Sequence, residues 1–311
     1  MECSETRVRL GCMSTSLINP YEGLTGGQWL RGNLHTHTRF SDGLRDTQSV
    51  IDDYAARGYG FLMISDHDVY TSRTDYEKYD AKGLVLIPGN EITNEAQHLL
   101  HVNANQTIRP IAQRQAVIVA ATSDHSFIIV NHPNWGRDFD HCPTGMLRQW
   151  AGYVGMEIYN GIIGRDIGSS YAMNKWDIVL SDDRQVWGFA NDDSHIAEDV
   201  GLGWNVVYVK NRTVEDVIDA LRYGRFYCST GVEISAIRVE GMRVTIETGN
   251  ADRIVVLGKF GRRLAVVNDR RIDYNVTESR GYVRFECWGP GEQFAWTQPL
   301  FVSHYGSAEY M

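Results

Sequence analysis

Thiolate chemistry is poorly provided for in this sequence. Its five cysteines, Cys3, Cys12, Cys142, Cys228 and Cys287, are odd in number, scattered and without any C-x-x-C spacing, which argues against both a disulfide framework and a cysteine zinc site. They read as buried or indifferent free thiols. There is no apolar run of about 18 residues, so no membrane span is expected. Residues 1–30 mix Glu, Arg and Gly too freely for the apolar core of a signal peptide. A cytoplasmic location is the resulting expectation, short of an export signal upstream of Met1. Positive charge is also in short supply, with 30 Lys and Arg against 39 Asp and Glu and a formal net charge of −9. That excludes a broad cationic surface for extended nucleic acid. It still allows a small, anionic substrate drawn in by metal ions. No internal repeat or low-complexity tract is found.

What is present is an ordinary globular composition, 311 residues with 43% apolar and 22% charged, enough for one large domain and a small one. Between residues 29 and 224 short apolar runs alternate with helix-period segments, the pattern of parallel strands joined by helices. Strands are predicted at 29–36, 60–65, 84–88, 99–103, 127–131, 154–159 and 186–190. A helix is predicted at 47–57, with Thr47 as N-cap and Gly58 as its stop, and another at 213–223, where Thr213 precedes Glu215 and Asp216 in the first turn. Some seven strand–helix units in this length suggest an α/β barrel that is closed or nearly so. After Arg225 the runs 234–239, 243–248, 253–257, 264–267, 282–287 and 294–301 are short, strand-like and separated by Gly, Asn and Asp, which predicts a small C-terminal all-β sandwich. The expected organisation is an N-terminal extension 1–27, a barrel 28–225 and a β-domain 226–311.

The ten histidines are the informative feature. His35 and His37, two apart on a strand, face the same side and make half of a metal site. Similar chemistry follows strand by strand: Asp42 in Ser41-Asp42-Gly43, His67 in Ser65-Asp66-His67-Asp68, Glu91 after Pro88-Gly89-Asn90, His132 after Asn131, and Asp193 with His195 in Asn191-Asp192-Asp193-Ser194-His195. Each lies just past an apolar strand, where barrel enzymes place their chemistry.

Taken together, these motifs over roughly residues 28–225 resemble the PHP (polymerase and histidinol phosphatase) family. The resemblance implies a distorted seven-stranded β/α barrel, two or three divalent ions and hydrolysis of phosphate esters. The segment Trp176-Asp177-Ile178-Val179-Leu180, with Gly188-Phe189-Ala190, Asp192-Asp193-Ser194-His195 and the β-rich tail, is more similar to a branch that includes a carbamate hydrolase. Carried over by position, the resemblance implies one ion on His35, His37, Glu91 and Asp193. It implies a second on Glu91 and His132 with one further histidine, and a third on Asp42, His67 and His195. Such nitrogen and oxygen donors suit Mn, Fe or Zn. The missing histidine is His98 or His101. Three apart on a strand, they point to opposite faces, and His101 matches the family position better. His125, His141 and His304 lie outside the motifs and read as surface or locally hydrogen-bonded residues.

A polynuclear site of this kind needs no side-chain nucleophile, because two ions lower the pKa of a bridging water to give hydroxide and clamp the oxygens of the attacked centre. Arg39 and Arg165 are the candidate clamps for phosphate oxygens, and Asn160 ends a strand beside the site. Asp68 and Asp192 adjoin expected ligands and would hold their second nitrogens. With His195, the residues Arg39, Asp68, Asn160 and Arg165 form the candidate catalytic set. Three functions compete: a phosphoesterase acting on a mono- or diester, a carboxylic ester, carbamate or amide hydrolase using the same metals, and a non-catalytic metal-binding scaffold with a ligand-binding β-domain. Convergent arginines in the pocket wall favour the first, and an apolar slot of Trp135, Trp176 and Tyr171 the second. The β-domain is open to packing on the barrel, covering the pocket or building a homo-oligomer.

Overall fold

The computed structural model describes residues 14–123, 125–278 and 280–305. Cys3, Cys12 and the first part of the expected extension lie outside the described residues, as does the His304 side chain. The first half of the chain runs β1 (Ser14–Ile18), β2 (Gln28–Asn33), α1 (Thr47–Ala56), β3 (Phe61–Met63), α2 (Arg73–Tyr76), β4 (Val85–Ile87), β5 (Gly89–Ile92), β6 (Leu99–Val102), α3 (Arg114–Ala121) and β7 (Phe127–Val130). It continues through α4 (Thr144–Gln149), β8 (Gly155–Asn160), α5 (Met173–Ser181), β9 (Trp187–Asn191), β10 (Trp204–Val209) and α6 (Val214–Arg222). The remainder is β: β11 (Phe226–Ser229), β12 (Ile234–Glu240), β13 (Arg243–Thr248), β14 (Arg253–Gly258), β15 (Arg262–Val267), β16 (Arg271–Asn275), β17 (Gly281–Trp288), β18 (Phe294–Thr297) and β19 (Leu300–Tyr305).

The seven expected strand positions are all occupied, but they do not form a closed barrel. β2, β3 and β4 are parallel neighbours in an eleven-stranded sheet, while β5 to β9 form a separate five-stranded sheet. The reason is visible at Pro88, where the chain leaves β4 and turns directly into β5, which pairs antiparallel with β6, and β6 pairs antiparallel with β7. Only β7, β8 and β9 resume the parallel order. Between the two sheets the described residues make isolated bridges, Thr36 to Ser194, His67 to Glu91 and Thr71 to Gly89, and the first two lie at the candidate site. Strands such as β7 and β9 are buried along their whole length, which explains why they read as continuous apolar runs rather than alternating ones.

The helices are few and cover the outer faces. α1 buries Val50, Ile51 and Tyr54 against Leu62 and Ile64. Its N-cap is Asp46 rather than Thr47: the Asp46 carboxylate accepts the Ser49 N–H at 3.0 Å, and an aspartate is the stronger cap because its charge also favours the positive end of the helix. Thr213, read as the first residue of its helix, is the N-cap of α6, accepting from the Asp216 N–H at 3.2 Å.

The expected boundary at 225/226 falls inside a continuous sheet. β10 pairs with β2 on one side and with β11 on the other, and β11 leads through β18 to β17, β14 and β19. The C-terminal strands β12, β13 and β16 form a three-stranded sheet whose Ile237, Val244, Ile246 and Ile272 share one apolar cluster with Ile254, Val256, Val283 and Phe285 of the large sheet. Two polar rivets cross the junction. Gln298 Nε2 donates to the Gly188 carbonyl at 2.8 Å while its Oε1 accepts the Gly188 N–H at 2.9 Å. Arg284 of β17 pairs with Asp177 of α5 through two 2.8 Å contacts.

Candidate metal centre

Most of the candidate ligands follow the C-terminal ends of neighbouring strands, while Glu91 lies within β5 and His98 just before β6, and the backbone beyond the strand ends is fixed by hydrogen bonds rather than left as free loop. After β2 the segment 34–37 runs beside 191–194. The His37 N–H donates to the Ser194 carbonyl at 2.8 Å and the Asp193 N–H to the His35 carbonyl at 3.0 Å. This pairing sets the two i, i+2 pairs side by side, so His35, His37 and Asp193 converge. After β3 the Ser65 N–H donates to the Thr36 carbonyl at 2.8 Å and the Asp68 N–H to the Glu91 carbonyl at 2.7 Å, which carries His67 to Glu91. Asp66 accepts the Thr38 N–H at 2.7 Å and the Ser41 hydroxyl at 2.6 Å, folding the loop of Asp42 back over His37. Gly43 is required there: a Cβ would lie 2.5 Å from the His37 carbonyl carbon.

Glu91 is the centre of the cluster. It is fully buried, and its carboxylate lies 3.3 Å from His35 Nε2, 3.6 Å from His37 Nε2, 2.8 Å from His67 Nδ1, 3.2 Å from His98 Nδ1 and 3.4 Å from His132 Nε2. Asp193 lies 3.2 Å from His35 Nε2 and 3.0 Å from His37 Nε2. On the outer side Asp42 reaches His67 Nε2 and His195 Nε2, each at 3.3 Å. Despite these distances, His35 Nε2, His37 Nε2, His67 Nδ1, His98 Nδ1 and Glu91 Oε2 have no hydrogen-bond partner and no exposure to solvent. Buried polar atoms are normally satisfied, so five unsatisfied donors and acceptors facing one space make a site that fits a cation. Their chemistry, imidazole and carboxylate without thiolate, fits a divalent first-row metal.

The electrostatics agree. Burial opposes protonation of His35, but Asp193, Glu91 and Glu157 hold its pKa well above the ordinary imidazole value. Burial likewise acts against His67, and Asp42 and Glu91 overcome it, pushing His67 up to about 10. Burial alone would lift Asp193, whereas His35 and His37 bring it well below the usual carboxylate range. At His37 burial wins over Asp193 and Glu91 and its pKa is lowered, so the carboxylates favour positive charge at His35 and His67 while the His37 ring stays the more readily neutral donor. Two of its residues, His132 with φ 25° and Asp193 with φ 57°, sit in the left-handed region that a branched or bulky side chain seldom adopts, a strain that tends to accumulate at functional sites.

The open space is small, about 160 Å³. Asp42, His67, Glu91, Asp193 and His195 form one side and His98 and His132 another. The remaining wall is Trp135, Ile162, Ile163 and Asp166.

Several expectations are corrected. The parity argument for His98 and His101 holds, but the choice reverses. In the β5–β6 ladder Glu91 faces Leu100 and Asn90 faces His101, so His101 lies on the opposite face from Glu91, toward the Ala121 backbone, where burial pushes its pKa down to about 4. His98 is the one in the cluster. Asp68 does not hold His67: its carboxylate accepts the Thr93 N–H at 3.0 Å and the Asn94 N–H at 3.1 Å. Asp192 accepts from the Tyr54 hydroxyl and the N–H groups of Gly201, Leu202 and Gly203, and burial pushes it up to about 6. Neither arginine faces the pocket. Arg39 donates to the Leu44 carbonyl at 2.8 Å, and Arg165 is committed to Asp199 through two 2.8 Å bonds. Asn160 does reach the site, donating to Asp193 at 3.1 Å and to Glu157 at 2.9 Å. Trp135 lines the pocket, while Trp176 is a core residue donating to the Val186 carbonyl and Tyr171 packs on Tyr159.

Three residues escaped the sequence reading. Glu157, buried on β8, accepts from His35 Nδ1 at 2.8 Å and from the His132 N–H at 2.8 Å. A charged residue inside the apolar run 155–160 was the available signal. Asn131 donates to Glu91 at 2.6 Å. His141 joins the cluster from the same β7–α4 loop that carries His132, its ring centroid 4.9 Å from that of His98 and 5.1 Å from that of His132, and it accepts the His98 N–H at 3.1 Å. Nothing in its neighbourhood of the sequence foretells this.

Residues 179–226 match the model of a family described as PHP-associated. Among solved structures, the chain is similar to a two-domain protein from Bacteroides vulgatus containing a predicted PHP-like metal-dependent phosphoesterase, at 19% identity and a TM-score of 0.53, covering 90% of this chain and 96% of that one. Weaker likenesses are to PsfC from Pseudomonas syringae (13% identity, TM-score 0.43, 63% of this chain and 90% of that one) and to a lesion-specific endonuclease from Pyrococcus furiosus (13%, 0.47, 63% and 56%). No curated protein matches. The PHP resemblance carried by the motifs is therefore borne out in the fold and in the matched segment. These likenesses do not reach the narrower one to a carbamate hydrolase.

Proposed function

We propose that this protein is a metal-dependent phosphoesterase acting on a small phosphorylated compound. The observation that carries the reading is the set of unsatisfied buried atoms around Glu91. His35, His37, Glu91 and Asp193 would hold one divalent ion, Glu91, His98 and His132 a second, and Asp42, His67 and His195 a third. Ions so held supply an activated water and polarise the attacked centre. Glu157 keeps the His35 ring in the orientation and tautomer that presents Nε2 to the site, Asn160 steadies Asp193, and Asn131 steadies Glu91. Mn, Fe and Zn all suit this donor set.

The wall of the pocket favours a second reading, hydrolysis of a carboxylic ester or carbamate, because no Lys or Arg is among its lining residues while Trp135, Ile162 and Ile163 are. Parallel assays of metal-loaded protein with p-nitrophenyl phosphate, bis(p-nitrophenyl) phosphate and p-nitrophenyl acetate separate the two. Turnover of a phosphate ester that disappears in His37→Ala supports the phosphoesterase, and turnover of acetate alone removes it. Unchanged activity in His37→Ala would detach the cluster from the chemistry altogether.

A further inference from the structure

The pocket of about 160 Å³ has room for little more than the reacting group, so whatever is esterified to it must leave through the mouth. On the side of Trp135 the mouth is a built surface. The loop carrying Trp135 and the loop carrying Asp166 are locked together: Trp135 and Gly168 form a bridge, the Gly136 N–H donates to the Ile167 carbonyl at 2.9 Å, and Trp135 Nε1 donates to Asp166 at 3.0 Å. Gly168, at φ 136°, permits this approach, since a Cβ would lie 2.6 Å from the Asn134 carbonyl. Ile162 and Ile163 continue the wall inward. Outward, the same two loops present Phe139 and Ile167, 54% and 51% exposed. Phe139 is also held at φ 55°, a costly conformation for an aromatic residue. Large exposed apolar side chains grouped beside a cleft mark contact with a ligand or partner. Arg165 is tied to Asp199, and Arg137, exposed on the loop between Trp135 and Phe139, is not among the residues that line the pocket.

We propose that Trp135, Ile162, Ile163, Phe139 and Ile167 form a binding platform for the leaving group, and that the substrate is the phosphoester of an apolar alkyl or aryl alcohol rather than of a sugar or nucleoside. The inference rests on the phosphoesterase reading of the same pocket. The surface begins at Trp135, which lines the pocket itself, and the loop that carries Ile167 is bonded to the loop of Trp135, which assigns the surface to the substrate rather than to a second copy of the chain.

The test is a series of methyl, butyl and octyl phosphates, in which the alkyl alcohol is the leaving group, assayed by release of inorganic phosphate on the metal-loaded protein below the micellar range. Because each methylene taken out of water favours binding, kcat/KM rises by roughly two- to fourfold per methylene until the platform is covered. In Phe139→Ser/Ile167→Ser, two exposed positions whose melting temperature is checked alongside, the octyl-to-methyl ratio falls at least about tenfold. A flat series, a ratio unmoved by the double variant, or faster release of phosphate from glucose 6-phosphate or AMP than from octyl phosphate overturns the platform. If no phosphoester is cleaved at all, the phosphoesterase reading fails. Calorimetric titration then decides the platform by itself, octyl phosphate binding tighter than inorganic phosphate in its favour and equal binding against it. A dimer in sedimentation that Ile167→Ser disperses would give the surface to a second copy and overturn the proposal.

Discussion

Where α5 meets β17, Arg284 is fully buried and every charge around it is answered: Asp177 takes two of its N–H groups at 2.8 Å, Glu286 a third at 2.8 Å, and the Tyr282 hydroxyl closes on Asp177 at 2.6 Å. Around Glu91, by contrast, the charges are just as buried and just as close, yet five polar atoms have no partner. Burying an ionic group without compensation is costly, and an unpaired one is normally eliminated or neutralised. The first cluster is complete without a ligand and joins the two parts of the fold. The second is incomplete within the protein, and that incompleteness is what points to function.

The contrast can be broken at either end. The largest effect is expected from Glu91→Gln, which removes the carboxylate shared by two ion positions: activity should fall by roughly a thousandfold, with bound metal lost by elemental analysis and the fold retained by circular dichroism. Arg284→Met leaves Asp177 and Glu286 buried without their cation and should cost about 3–5 kcal/mol in denaturant unfolding, while metal content per folded molecule stays the same. Loss of metal in this variant would show that the two clusters are not independent. His98→Ala should weaken metal binding by roughly a hundredfold, and His101→Ala should leave it intact with only a stability loss from the cavity. The reverse pattern in a metal titration would return His101 to the site. The smallest effect is that of Glu157→Gln, which keeps the shape but weakens the hold on His35 Nδ1: a 10- to 100-fold drop in affinity is the usual scale for such a partner.

Much of the centre was legible because its elements are local. His35 with His37 and Asp193 with His195 have a spacing that puts both members of each pair on one face of an extended chain, and the apolar runs before them place them at strand ends. The helices at 47–57 and 213–223 were legible for the same reason, through their period, although the N-cap of the first is Asp46 rather than Thr47. Asp68 and Asp192 show the limit. Each stands next to a candidate ligand in sequence, yet each side chain turns to backbone N–H groups of a neighbouring loop. The closed barrel failed at Pro88, where one strand turns straight into an antiparallel partner. A run of short apolar strands does not record that choice, since parallel and antiparallel pairing use the same residues.

The sequence by itself determined the donor types, their pairing two by two and the place of each at the end of a strand, because strand periodicity acts over two or three residues. Only the tertiary structure decided which of His98 and His101 looks inward, that Glu157 and His141 join the cluster, that neither Arg39 nor Arg165 lines the pocket and that one sheet runs through the expected domain boundary. Those outcomes depend on which strand lies beside which, a relation between residues tens of positions apart. The orphaned atoms around Glu91 are of the same kind: a partner's absence can be seen only once all the neighbours are in place.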